Sequence, residues 1–417
     1  MKLLPLLALA SAALLAQTQT NYDESKAGAY KLPDPLVLAN GRPVRDATTW
    51  MKLRRPEVFR LFQTNVYGRS PARPARVRYE QSPVDKQALG GKAVRKQVRV
   101  HFTDKPDGPK MDILIYLPAG ARRPVPLFAG LNFGGNQSVA ADPGVPLREI
   151  WVRDPQTRKA TKIIAPESSR GRSAGQWQVE KILSRGYGLA TIFYGDIEPD
   201  YNGGMSYGVR SLYPKPGPEE WGAIGAWAWG LSRAMDYFET DREIDAKRVA
   251  VMGHSRLGKT ALWAGASDTR FALVISNDSG EGGASLSRRW YGETVQNLNT
   301  SFPHWFCANY AKYNDRVSEL PVDQHELLAL IAPRPVYVAS AEEDRWADPK
   351  GEFLSAVHAG PVYALFGKQG LGTDQMPGIH QPLMGAIGYH IRAGKHDVTA
   401  YDWDQYLNFA DMHLRGK

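Results

Sequence analysis

Cysteine is almost absent from this 417-residue sequence, in which Cys307 stands alone. A single cysteine cannot form an internal disulfide or a cysteine-based zinc site, so both kinds of scaffold are excluded. Compositional extremes are also absent, because hydrophobic residues make up 43% and charged residues 23% of the chain. These proportions exclude disordered and collagen-like proteins. The length allows one large α/β domain or two or three smaller ones.

Long apolar runs are confined to the N-terminus. Residues 3–15 are apolar at all but two positions, follow the positive charge of Lys2, and lead to a cleavage-type Ala16. This pattern predicts a secretory signal peptide over residues 1–16, because the run is short for a membrane span; a buried N-terminal helix is the alternative. No later stretch reaches spanning length without charges. We therefore predict no membrane span and a mature protein exported to the periplasm or the medium.

Charge is moderately unbalanced, with 52 Lys and Arg against 43 Asp and Glu and a formal net charge of +9. Loss of the signal peptide removes only Lys2 and lowers this charge to +8. A basic surface favours acidic partners. No dense basic tract with interleaved aromatics is present, so nucleic acid is not expected as a partner. Acidic polysaccharide is the better candidate, beside the simpler interpretation that the charge aids solubility. No pattern indicates an oligomeric state.

The chain divides into a polar, turn-rich N-terminal arm at residues 17–45 and a single catalytic domain at residues 46–417. Trp50–Tyr67 is predicted to be helical, and residues 217–240 to form an amphipathic helix. Strands alternating with helices predict a mostly parallel sheet covered on both faces, with an antiparallel pair at one edge. The predicted strands are Lys92–Phe102, Met111–Leu117, Val125–Leu131, Tyr187–Tyr194, Arg248–Met252, Phe271–Ser276, Val336–Ser340 and Ile387–Ile391.

The segment Gly253–Thr260 (GHSRLGKT) lies between a predicted strand and a predicted helix and has two interpretations. In the first it is a nucleophile elbow, a sharp turn that raises the Ser255 hydroxyl above the end of the strand. The next backbone N–H, at the start of the helix, then stabilises an oxyanion. The second glycine of the usual Gly-x-Ser-x-Gly pattern is displaced by one position, to Gly258.

In the second interpretation the same residues match Gly-x-x-x-x-Gly-Lys-Thr, a phosphate-binding loop, with Asp278 as its metal-binding aspartate. Three observations disfavour it. Nucleoside triphosphates are scarce outside the cell, the loop follows several strands instead of opening the fold, and Asp278 comes only 18 residues after Thr260. The elbow is the favoured interpretation, and a purely structural turn is a third.

An elbow requires an acid and then a histidine later in the chain. Of the nine histidines, His396 follows the last predicted strand in a loop, which is where such an enzyme needs its base. His380, in the loop before that strand, is the second candidate. Two aspartates follow predicted strands and are candidate acids, Asp344 and Asp278. A buried carboxylate beside the imidazole fixes its tautomer, although each aspartate could instead cap a helix or pair with an arginine.

Residues 253–259 resemble the Gly-Cys/His-Ser-Arg-x-Gly-Lys signature of the glucuronoyl esterases, carbohydrate esterase family 15. The likeness extends over roughly residues 30–415. Segments that look like bacterial members are residues 276–283, 292–294, 302–305, 341–349 and 389–396. The resemblance implies an α/β-hydrolase fold, a three-layer sandwich. It also implies hydrolysis of the ester between 4-O-methyl-glucuronic acid on glucuronoxylan and an alcohol of lignin, with neither a metal nor an organic cofactor.

Carried onto this sequence, the resemblance implies Ser255 as the nucleophile and His396 as the base. Asp344 is the favoured acid, and Asp278, which stands where the family usually has Glu, is the alternative acid. Arg256 is expected to stabilise the oxyanion. Lys259, Glu293 and Trp346 are expected to bind the sugar. From the residues alone, these three side chains could instead be a solvated helix residue, a surface charge and a core residue.

Two other functions remain open. One is an acetyl-xylan or other carbohydrate esterase on the same fold, since a fold does not select a substrate. The other is a catalytically silent polysaccharide-binding protein that retains the triad.

Overall fold

The computed structural model describes residues 20–74, 76–122, 124–154, 156, 160–213 and 217–415. The predicted signal peptide, residues 1–16, and residues 17–19 of the predicted arm lie outside the described residues.

A large mixed sheet forms the centre of the molecule. Its strand order is β1-β3-β4-β8-β5-β9-β10-β11-β13-β12, with β2 paired to β3, while β6 and β7 form a separate antiparallel hairpin. The six strands from β8 to β13 in this order pair in parallel, and the outer strands pair antiparallel. The predicted mostly parallel sheet with an antiparallel edge is confirmed. The strands are β1 (Arg78–Gln81), β2 (Asp85–Gln87), β3 (Ala93–His101), β4 (Lys110–Pro118), β5 (Val125–Asn132), β6 (Glu149–Arg153), β7 (Ala160–Ile164), β8 (Gly188–Phe193), β9 (Ile244–His254), β10 (Leu273–Asn277), β11 (Val336–Ala341), β12 (Leu383–Met384) and β13 (Ile387–Arg392).

Helices cover both faces of the sheet. Side chains alternate along β9, so that Val249 and Val251 join one apolar core with α7, α8 and α11, whereas Ala250 and Met252 join a second core with α5 and α12. None of the helices in the described part of the chain is long and apolar enough to cross a membrane. The helices are α1 (Ala47–Thr49), α2 (Arg55–Phe62), α3 (Ala88–Gly91), α4 (Ala174–Trp177), α5 (Val179–Ser184), α6 (Tyr194–Ile197), α7 (Ala223–Phe238), α8 (Arg256–Ser267), α9 (Val295–Ser301), α10 (Gln324–Ala329), α11 (Pro349–Ala364) and α12 (Ala400–Leu414), with π-helical turns at Trp50–Arg54 and Gln63–Tyr67.

The helix predicted over residues 217–240 differs from the expectation in two ways. It starts only at Ala223, because Glu220 donates its N–H to the carbonyl of Gly217 and closes a turn there. It is also buried on nearly all sides, so the amphipathic interpretation is wrong. Its neighbours are α8, β5 and β9, and Trp227 donates its indole N–H to the carbonyl of Glu198 at 2.8 Å.

Strand register brings the carboxyl ends of four strands to one edge of the sheet. Asn277 in β10 lies opposite His254 in β9 and Ala339 in β11. Ala341 in β11 lies opposite Arg392 in β13. Residues that directly follow these strands therefore lie close together, as is usual for sites on open α/β sheets.

Candidate active site

The turn between β9 and α8 has the backbone of a nucleophile elbow. Ser255 adopts φ 58° and ψ −130°, a conformation that residues with a side chain rarely occupy. Its N–H donates to the carbonyl of Asn277 at 2.9 Å, which fixes the turn to β10. A Cβ atom on Gly253 would lie 1.9 Å from the carbonyl oxygen of Leu257, and one on Gly258 would lie 2.9 Å from Cβ of Ser279. Both glycines are therefore required by close packing, including the displaced one.

His396 and Asp344 are paired directly. Nδ1 of His396 lies 2.5 Å from Oδ2 of Asp344, and Asp344 is buried while the imidazole is 42% exposed. Backbone hydrogen bonds hold the two loops together, since Glu342 donates to Arg392 and Glu343 donates to Gly394. The predicted loop position of the histidine, after the last parallel strand, is what the structure shows.

A second histidine, His254, packs on the first. The two ring centroids lie 4.4 Å apart, and Nδ1 of His254 lies 2.6 Å from Oδ1 of Asn277. Burial, and then the positive charge of His396, lower the pKa of His254 to about 3. His254 is therefore neutral near neutral pH.

Asp278 lies in the same cluster but is bound differently. One oxygen of Asp278, one of Asp344 and a ring nitrogen of His396 all lie within 4.8 Å of one another. Asp278 nevertheless receives only long hydrogen bonds, of 3.5 Å from Arg392 and 3.4 Å from the backbone of Asp397, and its Oδ1 has no partner among the described residues. Burial, and then the charges of Glu352 and Asp344, raise the pKa of Asp278 well above its usual range, which favours the protonated form of this carboxyl group.

Arg256 is held by an anionic and aromatic cage. Its guanidinium carbon lies 5.1 Å from the centroid of Trp305 and 5.5 Å from that of Phe133, and its Nη1 is ion-paired with Asp200. Asp200 also accepts hydrogen bonds from Nε2 of His304 at 2.8 Å and from Nε1 of Trp305 at 2.7 Å. Although burial opposes ionisation, the bond from His304 and the charge of Arg256 lower the pKa of Asp200 to about 2.

Lys259 and Glu293 form a buried ion pair one turn into α8. Nζ of Lys259 donates to the carbonyl of Ser279 at 2.6 Å and to Oε2 of Glu293 at 3.2 Å, and it lies 5.9 Å from the ring centroid of Trp305. The alternatives of a solvated lysine and a surface glutamate are wrong, because both side chains are buried. Trp346 is 40% exposed and is therefore no core residue, and its carbonyl accepts the N–H of Glu293 at 2.9 Å.

These contacts also contradict the phosphate-loop interpretation. Nζ of Lys259 lies beside the carboxylate of Glu293, which would repel a phosphate, and the Thr260 hydroxyl donates to the carbonyl of Arg256 at 2.9 Å. Asp278 lies in a cluster with Asp344 and His396.

The loop after β10 is anchored by a residue that sequence reasoning missed. The carboxylate of Glu352, fully buried at the start of α11, accepts the N–H groups of Ser279 and Gly280 at 2.8 and 2.9 Å and the hydroxyl of Ser340 at 2.6 Å. Asp200 and His304 were missed in the same way. The available signal for Asp200 was its place after β8, at the edge of the sheet where Ser255 and His396 also lie.

A wide cavity adjoins the His396 side of the site. Its volume is about 830 Å³, and it is lined by Phe133 and Asp397 near the catalytic cluster and by Trp151 from the β6–β7 hairpin. The ring of Trp151 lies 5.1 Å from that of Tyr207 and 5.5 Å from that of Tyr201. Tyr207 is 63% exposed, so this aromatic cluster borders both the cavity and solvent.

Comparison with known proteins gives consistent matches. The family model described as glucuronyl esterase, fungi, matches residues 201–367. Carbohydrate esterase MZ0003 from an unknown prokaryotic organism is 54% identical over 401 residues, which cover 95% of this chain and 92% of the relative. A solved glucuronoyl esterase from Solibacter usitatus is 58% identical with a TM-score of 0.89, covering 94% of this chain and all of the other. A 4-O-methyl-glucuronoyl methylesterase from Podospora anserina is 30% identical over 332 residues, covering 76% of this chain and 56% of the relative.

Proposed function

This chain belongs to carbohydrate esterase family 15, the glucuronoyl esterases, and on that premise we propose that it hydrolyses 4-O-methyl-glucuronoyl esters through Ser255, His396 and Asp344. The observation that carries the assignment of residues is the 2.5 Å contact between His396 and the buried Asp344, with His396 packed on His254, the residue that precedes the strained Ser255. The enzyme is a carboxylic-ester hydrolase with an α/β-hydrolase fold. The roles of the individual residues are our proposal.

The first step forms an acyl-enzyme. With Nδ1–H of His396 donating to Asp344, Nε2 is the ring nitrogen that accepts the proton of Ser255. The serine oxygen attacks the C6 carbonyl of the uronate and forms a tetrahedral intermediate. His396 then gives the proton to the alcohol oxygen, and the alcohol departs. Asp344 stabilises the imidazolium during this step, and the neutral His254 adds no opposing charge.

The oxyanion is stabilised at the start of α8. The N–H of Arg256 belongs to the first turn of this helix, where backbone donors have no intrahelical acceptor. Its guanidinium adds positive charge from within the cage of Phe133, Trp305 and Asp200. In the second step His396 removes a proton from water, which attacks the acyl carbon and releases the uronic acid and Ser255.

The uronate ring is assigned to the side of the site that holds Lys259 and Glu293. This buried pair can donate to and accept from adjacent sugar hydroxyls, a pattern that favours one orientation of the ring. The half-exposed Trp346 supplies an apolar surface for one ring face. The acyl group of an acetyl ester has no hydroxyl that would contact this pair, so a uronate is the better acyl group.

The alcohol is assigned to the cavity on the other side of the elbow. Lignin alcohols are aromatic, and the cavity presents the rings of Phe133 and Trp151 within about 830 Å³. We therefore propose lignin–glucuronoxylan esters as the natural substrate class. The predicted signal peptide supports action outside the cytoplasm, in the periplasm or the medium.

The deciding experiment is hydrolysis of methyl and benzyl glucuronate by the wild type and by Ser255→Ala, with acetylated xylan in parallel. We expect uronate-ester cleavage that falls at least a thousandfold in the variant. Cleavage of acetate alone would retain the elbow chemistry and reject the uronate pocket. Binding of glucuronoxylan without any hydrolysis would instead indicate a binding protein.

A further inference from the structure

The segment of residues 21–27, here called the N-terminal strap, lies against two loops of the site. One is residues 289–293, the uronate loop, which ends in Glu293. The other is residues 344–348, the acid turn, which contains Asp344 and Trp346. The strap lies more than 260 positions away from the uronate loop in sequence. Hydrogen bonds from the strap reach both loops.

Asn21 binds the uronate loop at two points. Its side-chain amide donates to the carbonyl of Trp290 at 2.5 Å, and its own carbonyl accepts the N–H of Gly292 at 2.9 Å. The residue is buried, and its Oδ1 accepts the N–H of Asp23, which fixes the amide orientation. The two residues of the loop that Asn21 binds, Trp290 and Gly292, precede Glu293 by three positions and by one position.

Tyr22 binds the acid turn. Its carbonyl accepts a hydrogen bond from Nη2 of Arg345, and the guanidinium carbon of Arg345 lies 4.9 Å from the Tyr22 ring centroid. Arg345 stands between Asp344 and Trp346 in the chain, so this contact restrains the backbone that carries both. Arg345 also donates to the Tyr291 hydroxyl at 3.1 Å, which links the turn to the uronate loop.

Charged contacts hold the middle of the strap. Glu24 is ion-paired with Arg289 and lies 2.9 Å from Nζ of Lys350. Nε of Arg289 is in turn 2.9 Å from Asp348, whose carboxylate caps α11 by accepting the N–H of Gly351. The strap is thereby tied to an element of the sandwich and not only to loops.

The two loops touch each other tightly beneath the strap. A Cβ atom on Gly292 would lie 2.5 Å from the carbonyl oxygen of Trp346 and 2.7 Å from that of Arg345. Glu293 donates its N–H to Trp346 at 2.9 Å. Neither loop has regular hydrogen-bonded structure over these residues apart from one 3₁₀ turn, Arg345–Ala347. The relative position of the two loops therefore depends on the contacts between them and on the hydrogen bonds that each makes with the strap.

We propose that the N-terminal strap is a positioning element of the active site, and that Asn21 and Tyr22 are its positioning residues. Asn21 sets the position of Glu293 for the sugar, and Tyr22 sets the position of the acid turn. The inference rests on the proposed function for the role of Glu293. Misplacement of a contact by about 1 Å can cost roughly a hundredfold in rate, so small shifts of these loops are measurable.

The test compares the mature chain with a variant that starts at Gly28 and with Asn21→Ala. Asn40→Ala is the matched control, because Asn40 lies in the same arm and its side chain bonds only to the exposed turn at Arg42. Kinetics are measured on methyl glucuronate and on p-nitrophenyl acetate, which lacks the sugar. Asn21→Ala is expected to raise KM for the uronate about tenfold and to leave acetate hydrolysis within twofold. The shortened variant is expected to lose about a hundredfold in kcat/KM on the uronate and about tenfold on the acetate.

Unchanged kinetics in Asn21→Ala would overturn the proposal, as would an equal loss on both substrates, which signals general destabilisation. Should the shortened variant not fold, Asn21→Ala decides alone. Hydrogen exchange of residues 289–293 gives a readout that is independent of turnover, and we expect it to quicken more than tenfold in the shortened variant. If the wild type does not cleave methyl glucuronate, the proposed function is wrong. The hydrogen-exchange measurement then still tests whether the N-terminal strap positions residues 289–293.

Discussion

His396 and Asp344 lie 2.5 Å apart across loops that follow two neighbouring parallel strands, while Asp278 in the same cluster makes no short contact with the imidazole. We predict that Asp344→Asn lowers kcat by about 10³- to 10⁴-fold, because the imidazole loses both its tautomer and its counter-charge. Asp278→Asn should cost about tenfold or less, since His396 pairs with Asp344 and the raised pKa of Asp278 disfavours its charged form. Steady-state kinetics on methyl glucuronate decide the matter, and a larger loss from Asp278→Asn would reverse the assignment.

The neutral His254 predicts a pH dependence of stability. The folded protein holds the pKa of His254 near 3, against 6.5 for a free histidine. Between these values the unfolded chain binds more protons, so the free energy of unfolding falls as the pH is lowered, by up to about 1.4 kcal/mol per pH unit. His254→Cys should flatten this dependence. Chemical denaturation at a series of pH values measures it, and identical slopes in the two proteins would refute the role of this histidine.

Asp200 predicts a kinetic effect that arises through Arg256. In Asp200→Asn the guanidinium loses its ionic partner but keeps both aromatic neighbours. We expect kcat to fall by about 10- to 100-fold with KM nearly unchanged, because the oxyanion is stabilised only in the transition state. In a double-mutant cycle, Asp200→Asn should lower kcat much less in the Arg256→Met variant than in the wild type. Additive losses would show that Asp200 acts independently of Arg256.

The buried pair of Lys259 and Glu293 predicts non-additive stability. Removing one partner leaves an unpaired buried charge, which costs about 3–5 kcal/mol. Lys259→Met should therefore destabilise the protein more than the double variant Lys259→Met, Glu293→Gln does. Urea denaturation gives the comparison. Both variants should bind glucuronate poorly. A double variant with the KM of the wild type would show that Lys259 and Glu293 do not bind the sugar.

The cavity beside His396 predicts a preference for aromatic alcohols. Trp151→Ala should lower kcat/KM for benzyl glucuronate about tenfold and leave methyl glucuronate within twofold, because only the larger alcohol reaches the hairpin. Ile164→Ala, an exposed position on the same hairpin, is the control. Equal effects of Trp151→Ala on both esters would argue that the cavity does not hold the alcohol.

Local patterns of the sequence were sufficient for the sheet and for the elbow. Apolar runs of strand length predict the strands, and the glycines at 253 and 258 predict the elbow. Both features depend on residues that are close in the chain, so they can be predicted without a structure. The loop after the last strand also favours His396 over His380 as the base, and this assignment stays a prediction. His380 lies before that strand, with its N–H bonded to the carbonyl of Ile391.

The sequence did not predict contacts between side chains that are far apart in the chain. Asp200 meets Arg256 from 56 residues away, and Glu352 meets Ser279 from 73 residues away. The place of Asp200 after a predicted strand puts it at the edge of the sheet, but no local pattern shows that Asp200 or Glu352 is buried, since isolated Asp and Glu are usually exposed. Periodicity also misjudged the helix at Ala223–Phe238, because it cannot detect the elements that cover its second face.

The contacts of Asn21 have a consequence for the order of folding. They join residues 269 positions apart, and contacts of such long range are among the last to form because closing the intervening chain costs entropy. The parallel strands and their helices can assemble before the N-terminal strap is in place. During refolding, helical circular dichroism should therefore recover first and ester turnover later, with the interval between them set by the docking of a few residues near the start of the mature chain.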